Sequence, residues 1–257
     1  MRKSVARRTA PAGSLPAGSG QWANTAPPCL RLTTYRLVGM FAAMVSNRPF
    51  RPAPANARDK LLEAAVKLVR CAGYTATSVD DLCREAGVTK GAFFHHFPSK
   101  EALGVAVAEY WSASTSGFFA AAPYHFRDDP VDRLLGYIDF RIALISGPVE
   151  TFTCVAGTMV QEAFRTSDPI REACGASIMG NAGALVADIS LAMQQRGVTG
   201  ISPESLARHV QAVIQGAFVL AKTQAGEDAA KLAREQLGLL RHYFFLLFRA
   251  DGKESSA

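Results

Sequence analysis

Thr77 and Ser78, then Thr89-Lys90-Gly91-Ala92, then His95-His96 and finally Lys100 form a series of hydroxyls, cations and small residues along one short stretch. These side chains donate hydrogen bonds and positive charge, which is the chemistry of holding phosphate rather than of breaking bonds. Lys90 offers a cation, and Gly91 and Ala92 are small enough for a helix face to approach base edges. His95 and His96 can donate to phosphate. Lys100 follows Pro98-Ser99, in the first turn of a new helix, where a cation is unfavourable against the helix dipole. A phosphate bound there by the free backbone N–H groups would explain it.

These residues need helices to position them, and the sequence provides them. Leu61, Leu62, Ala65, Val66 and Val69 recur at three- and four-residue spacing, so the first helix buries one face and ends at Gly73. Thr77, with Asp80 three residues on, predicts a capping box opening a second helix that buries Val79, Leu82 and Cys83 and stops at Ala86-Gly87. Thr89 caps a third helix through His96, and Ser99 caps a fourth running to about Ser116. Two short helices joined by a glycine-containing turn have helix-turn-helix spacing, which puts the later one in a major groove of double-stranded DNA.

The run TSVDDLCREAGVTKGAFFHHFPSKEAL, residues 77–103, resembles the N-terminal domain of the tetracycline-repressor (TetR) family of bacterial regulators. The likeness is specific over about 56–107. It implies an all-α homodimer with a three-helix DNA-binding head and a larger helical-bundle body, about nine helices in all, with repression relieved by a small effector and a cytoplasmic location. By position, Thr77 or Ser78 would touch a phosphate, Thr89, Lys90, Gly91 and Ala92 would lie at the groove, and His95 and Lys100 on the backbone. Phe94 departs from the family's usual tyrosine, so a phenolic contact to phosphate is lost.

Charge supports few, placed contacts. The chain of 257 residues carries a net +6, but residues 1–43 hold six basic side chains and no acid. Residues 44–111 hold nine basic against seven acidic, and 112–257 thirteen against fifteen. The head is only mildly basic, so affinity must rest on a few cations and backbone N–H groups. Cys29, Cys71, Cys83, Cys154 and Cys174 form no C-x-x-C and read as reduced, buried thiols. No nucleotide loop, zinc-spaced Cys/His set or nucleophile motif is present, so no cofactor, metal or enzymatic activity is expected. The adjacent His95 and His96 point about 100° apart on a helix and would not chelate one ion.

The domain plan follows. Residues 1–55 are expected to be a basic Ala/Pro/Gly-rich disordered extension, 56–103 the head, 104–250 the effector-binding and dimerisation part, and 251–257 a flexible tail. Leu37–Val45 is too short to span a bilayer, and no membrane partner is expected. A basic start before it has the outline of an export signal, but a DNA-binding head has no use outside the cytoplasm. The ordered protein is therefore expected to begin near Met44, preceded by an upstream extension or by a basic arm on DNA, with Arg48, Arg51 and Arg58 flanking the duplex.

In the body, helices are expected over about 131–146, 151–166, 169–196, 203–224 and 227–249, with an aromatic loop at 117–129. Phe140, Phe152, Cys154, Met159, Glu162, Phe164, Met179 and Met193 offer aromatic, thioether, thiol and carboxylate groups for a pocket binding a small apolar or aromatic effector. The bland reading is a packed core, with Glu162 at a surface and the glycines of 169–196 allowing close helix contact. The last two helices are more apolar than one buried face requires. That places a homodimer interface at Val213, Ala217, Phe218, Leu220, Leu240, Tyr243, Phe244 and Leu247 and two heads on a palindromic operator. Two other readings stand beside this one. A thiol switch at Cys154 and Cys174 would sense oxidant or electrophile. A protein of another class would be an all-helical ligand-binding or catalytic body with a vestigial head.

Overall fold

The computed structural model describes residues 56–249. The expected N-terminal extension, the apolar run at Leu37–Val45, Cys29, Arg48, Arg51, the start near Met44 and the tail at 251–257 lie outside these residues. Everything described is α-helical apart from turns and one 3-10 turn, so the fold is all-α with a helix-turn-helix head on a larger bundle.

Helices α1 (Ala57–Ala72), α2 (Val79–Ala86) and α3 (Lys90–His96) form the head, and α4 (Lys100–Ala120) leaves it. The cap of α2 is a correction to the sequence reading. Ser78 Oγ accepts the Asp81 N–H at 3.1 Å, and Asp81 Oδ2 accepts the Ser78 N–H at 3.0 Å. Thr77 is buried instead and donates its hydroxyl to the Gly73 carbonyl at 2.7 Å. Thr77 and Ser78 could both cap, and tertiary burial of Thr77 decides the register. Gly87 ends α2 in the left-handed region, φ +63° and ψ +38°, which favours glycine. Leu61, Leu62, Val66, Val69, Leu82, Phe93 and Phe97 close the head's core, which is continuous with that of the body.

In the body, α4 runs one turn beyond its expected end, and a 3-10 turn at Pro123–Phe126 occupies part of the expected loop. Helix α5 spans Pro130–Ala143. The helix expected over 151–166 divides into α6 (Val149–Phe152) and α7 (Val155–Ala163). Thr153 is extended between them, and Cys154 caps α7 through its sulfur, which accepts the Gly157 N–H at 3.3 Å. Sulfur is a weak acceptor and an unusual cap, so the break had no local signal in the sequence. The helix expected over 169–196 also divides, into α8 (Asp168–Gly183) and α9 (Val186–Arg196). Ala184 and Leu185 keep helical dihedrals there, so this is a kink beside Gly180 and Gly183 rather than a turn. The pair α10 (Pro203–Ala221) and α11 (Glu227–Leu247) packs as the expected antiparallel hairpin.

Asp168–Arg196 is the one segment among the described residues long and apolar enough to cross a membrane. It packs here against α4, α7 and α10 and sends Ile170, Cys174, Ala182, Leu185, Ile189 and Met193 into the core. Its crossing with α4 is close: a Cβ on Gly104 would lie 2.8 Å from Ile170 Cδ1 and 3.1 Å from Tyr74 Cε2.

Candidate DNA interface, its hinge and the body cavity

Helix α3 begins at a cap, Thr89 Oγ1 accepting the Ala92 N–H at 3.2 Å, and is anchored from beneath by Phe93, whose ring sits 6.0 Å from that of Phe97. That burial turns the other face outward. Thr89, Lys90, Gly91, Phe94 and His95 are exposed on it, while Ala92 and His96 are half-buried. Ser78 is exposed at the start of α2, and its hydroxyl is engaged in the cap. Lys90 Nζ pairs with Asp80 across the two helices at 2.7 Å, and this carboxylate holds the ammonium above its ordinary pKa. Phe94 is 54% exposed on this face and brings an aromatic ring without a hydroxyl to it.

Lys100 has a different setting. Its ammonium lies over the Tyr74 ring, 4.5 Å from the centroid, and donates to the Thr75 carbonyl at 3.2 Å. Tyr74 returns a bond from its phenol to the Lys100 carbonyl at 3.2 Å. Burial lowers the lysine's pKa against the opposing pull of Glu162. Lys100 thus staples the α1–α2 turn to the start of α4.

Glu162, expected either as a pocket handle or as a surface residue, reaches this same turn from α7. Its Oε2 accepts the Thr75 N–H at 2.7 Å, and its Oε1 occupies the space that a Cβ on Gly73 would need. Gly73 has φ +93°, so glycine is required there on two counts. A second tie runs from Ser167, between α7 and α8, whose hydroxyl donates to Glu101 Oε1 at 2.5 Å. The body therefore grips the head at both ends of the turn's support. Sequence reading missed this hinge because Glu162 and Thr75 are far apart in the chain.

The residues expected around an effector are dispersed. Met159 is fully buried near the hinge, and Met193 and Cys154 are buried in the body core. Phe152 packs 6.1 Å from Phe218. Phe164 and Met179 point outward, at 50% and 56% exposure. Phe140 joins an aromatic cluster, 5.3 Å from Phe118 and 5.5 Å from Phe119. That cluster borders a cavity of about 270 Å³ between the end of α4, the 3-10 turn, α5 and the α8–α9 kink. Phe119, Tyr124, Leu134, Tyr137 and Leu185 supply its apolar walls; Ser116, His125, Arg133, Arg141, Asn181 and Asp188 supply its polar groups. A Cβ on Gly175, Gly180 or Gly183 would meet nothing within 4 Å, so these glycines serve neither close helix contact nor the cavity within the chain.

The thiols do not form an exposed reactive set. The four described cysteines are free. Cys174 is completely buried, and burial pushes its thiol up to about 12. A sensing cysteine needs the opposite, an accessible thiolate.

On the last two helices, Ala217, Phe218, Leu240 and Phe244 lie inside the protomer's own core, and Val213 and Leu247 are half-buried. Leu220 and Tyr243 face out, joined there by Val219, Leu239, Phe245 and Leu246, which sequence reading did not select.

Comparison with known proteins agrees with this architecture. Residues 61–107 match the family model described as bacterial regulatory proteins, tetR family. The chain is 23% identical over 186 residues to the uncharacterized HTH-type transcriptional regulator YxaF of Bacillus subtilis, covering 72% of this chain and 95% of that protein. Its head is 42% identical over 52 residues to the HTH-type transcriptional repressor NemR of Escherichia coli, covering 20% of this chain and 26% of that protein. The crystal structure of reduced E. coli NemR superposes with a TM-score of 0.62 at 24% identity, covering 72% of this chain and 95% of that one. A TetR-family regulator from Agrobacterium tumefaciens gives a TM-score of 0.61 at 21% identity, covering 73% and 98%. With the capped helix-turn-helix, the outward face of α3 and the matched head in agreement, residues 61–107 carry the helix-turn-helix domain of the tetR family of bacterial regulatory proteins, and the chain as a whole has the fold of solved TetR-family regulators.

Proposed function

We propose that the protein is a cytoplasmic homodimeric repressor that leaves a palindromic operator when a small molecule enters each body. The observation that carries the DNA part is the outer face of α3, where Thr89, Lys90, Gly91, Phe94 and His95 stand exposed on a helix anchored by Phe93. On DNA, Lys90 exchanges Asp80 for a guanine edge or a phosphate, and Phe94 meets a thymine methyl or a sugar. Residues 56–103 act as the head and 104–250 as the effector-binding and dimerising part. Repression is supported by relatives such as NemR, which is named a repressor.

The exposed faces of α10 and α11 support the dimer. Val219, Leu220, Leu239, Tyr243 and Leu246 are exposed there, and Gly216 and Gly238 each face open space. A glycine inside a helix costs about 1 kcal/mol relative to alanine, and closely approaching partner helices would account for both. Twofold packing of this hairpin would set the recognition helices about 34–36 Å apart.

Control is supported by the path of α4. Its last turn walls the cavity at Phe119 and Ala120, and its first turn is tied to the α1–α2 turn through Lys100 and to the α7–α8 link through Glu101. A ligand that favours one tilt of α4 shifts the population of head spacings. The test is selection of bound sequences from random DNA, followed by mobility-shift titration. Twofold-symmetric sites are expected, with Lys90→Ala losing selectivity. Selection of no sequence, or of sites without symmetry, would overturn the reading.

A further inference from the structure

We propose that the cavity takes a small single-ring organic acid whose carboxylate is held by Arg141; this rests on the reading of that cavity as the effector site. Arg141 is half-buried on α5, and its guanidinium carbon lies over two aromatic rings, 4.0 Å from the Phe119 centroid and 5.2 Å from that of Tyr137. Its Nε donates to the Tyr137 phenol at 3.0 Å, and its two terminal amino groups have no carboxylate partner among the described residues.

The nearby acids are already taken. Asp188, on the cavity wall, is bound by Arg133 through Nε and a second nitrogen, both at 2.8 Å. Arg133 Nη1 is itself spent on the carbonyls of Arg127 and Asp128, at 2.9 Å each. Asp139, two residues before Arg141, is bound by Arg241 from α11 at 2.6 Å and 3.2 Å. Arg133 and Asp188 cancel, so Arg141 leaves the cavity with one uncompensated positive charge. Tyr137 accepts from Arg141 and keeps its own proton free to donate, and its oxygen adjoins the same guanidinium. A planar fork beside a phenol O–H is the geometry that receives a carboxylate through paired charge-assisted bonds.

The rest of the cavity selects the body of the ligand. Tyr124, Tyr137, Phe119 and Leu134 give it aromatic and aliphatic walls, and its volume of about 270 Å³ admits a ligand of one ring rather than a long chain. The carboxylate's neutral counterparts would leave the guanidinium without a partner in a partly desolvated site, so discrimination falls on charge rather than shape.

The experiment is calorimetry of the full-length protein with benzoate and phenylacetate against benzyl alcohol and 2-phenylethanol, which keep the ring and lose the charge. At least one acid is expected to bind ten times or more tighter than its alcohol, and Arg141→Gln should remove that preference while leaving alcohol binding within about twofold. Equal binding of acids and alcohols, no binding of either acid, or an unchanged preference in Arg141→Gln would overturn the proposal. Should Arg141→Gln fail to fold, Tyr137→Phe keeps the ring and the charge and is expected to weaken the acid alone; an unchanged acid affinity there counts against the site. Operator release, followed in parallel, separates this from the regulatory reading. An acid that binds through Arg141 yet leaves the DNA complex intact upholds the anion site and overturns its role as effector site. Release by the alcohols at the same concentration does the reverse.

Discussion

Lys90 and Lys100 carry the same charge and stand one short helix apart, yet their surroundings give them different tasks. Lys90 is exposed, tied only to the exposed Asp80. Lys90→Ala is therefore expected to leave the thermal midpoint within about 1 °C, because surface pairs contribute little, while sequence-selective DNA binding is lost in a mobility shift. Lys100 is half-buried over Tyr74 and bonded to the Thr75 carbonyl. A partly desolvated cation–π contact is worth about 1–2 kcal/mol, so Lys100→Ala should lower the midpoint by roughly 2–8 °C. Its salt slope for DNA should stay close to the wild type's; a fall of about one unit would return Lys100 to the phosphate role. Cys174 gives a prediction in pH. Its thiol is pushed from an ordinary 9.0 up to about 12 by burial. The unfolded chain releases that proton near 9 and the folded chain only near 12, so the folded form holds more protons between them and loses stability as pH rises through this window. Cys174→Ala is expected to melt lower at neutral pH, yet to show a flatter decline of midpoint between pH 9 and 11. The native thiol should also resist iodoacetamide at pH 8, which mass spectrometry reads directly.

At the scale of elements, the α1–α2 turn is held from the body by one carboxylate. Glu162 on α7 accepts the Thr75 N–H at 2.7 Å and fills the space that a side chain at Gly73 would need. A hydrogen bond to a charged acceptor contributes about 1.5–3 kcal/mol, less where water competes as it does here. Glu162→Ala is expected to speed amide exchange at Thr75 by about five- to tenfold, with α10 and α11 unchanged, and to weaken ligand-driven release more than DNA binding itself. Unaltered exchange at Thr75 would show that the turn is held by Lys100 and Tyr74 alone. The breaks at Thr153-Cys154 and Ala184-Leu185 fit the same picture, since they let α7 and the α8–α9 segment each meet more than one neighbour.

For the whole molecule, the proposed dimer makes a contrast between two residues on one helix. Leu239 is 64% exposed and Phe244 is 1% exposed, although both are large and apolar. Leu239→Glu is expected to leave a folded monomer in sedimentation velocity, with a helical spectrum like the wild type's and operator affinity reduced by a hundredfold or more. Phe244→Glu puts a charge into the core and should unfold the chain outright. A Leu239→Glu variant that remains a dimer would move the interface elsewhere, for which the outward small face of α8 at Ala176, Gly180 and Gly183 is the next surface to examine.

What could be read from the sequence was local. The helical period at Leu61–Val69, the caps at Thr89 and Ser99, and the glycines after α1 and α2 are decided within one or two turns of chain. The head, the outward face of α3 and the all-α class followed from those signals, because capping and amphipathic burial act over three or four residues. Even there, the choice between Thr77 and Ser78 as the cap depended on what packs over Thr77. Positions set by contacts between distant segments were not legible. Glu162 meets Thr75, Arg133 takes Asp188, and Arg241 takes Asp139, which leaves Arg141 unpaired among aromatic rings. The apolar excess of the last two helices was visible in composition, but which side chains fill the protomer's core and which face outward depended on how α11 settles against α5 and α10. A helix packed on two neighbours has a buried arc wider than one stripe, and only the tertiary arrangement fixes where that arc ends.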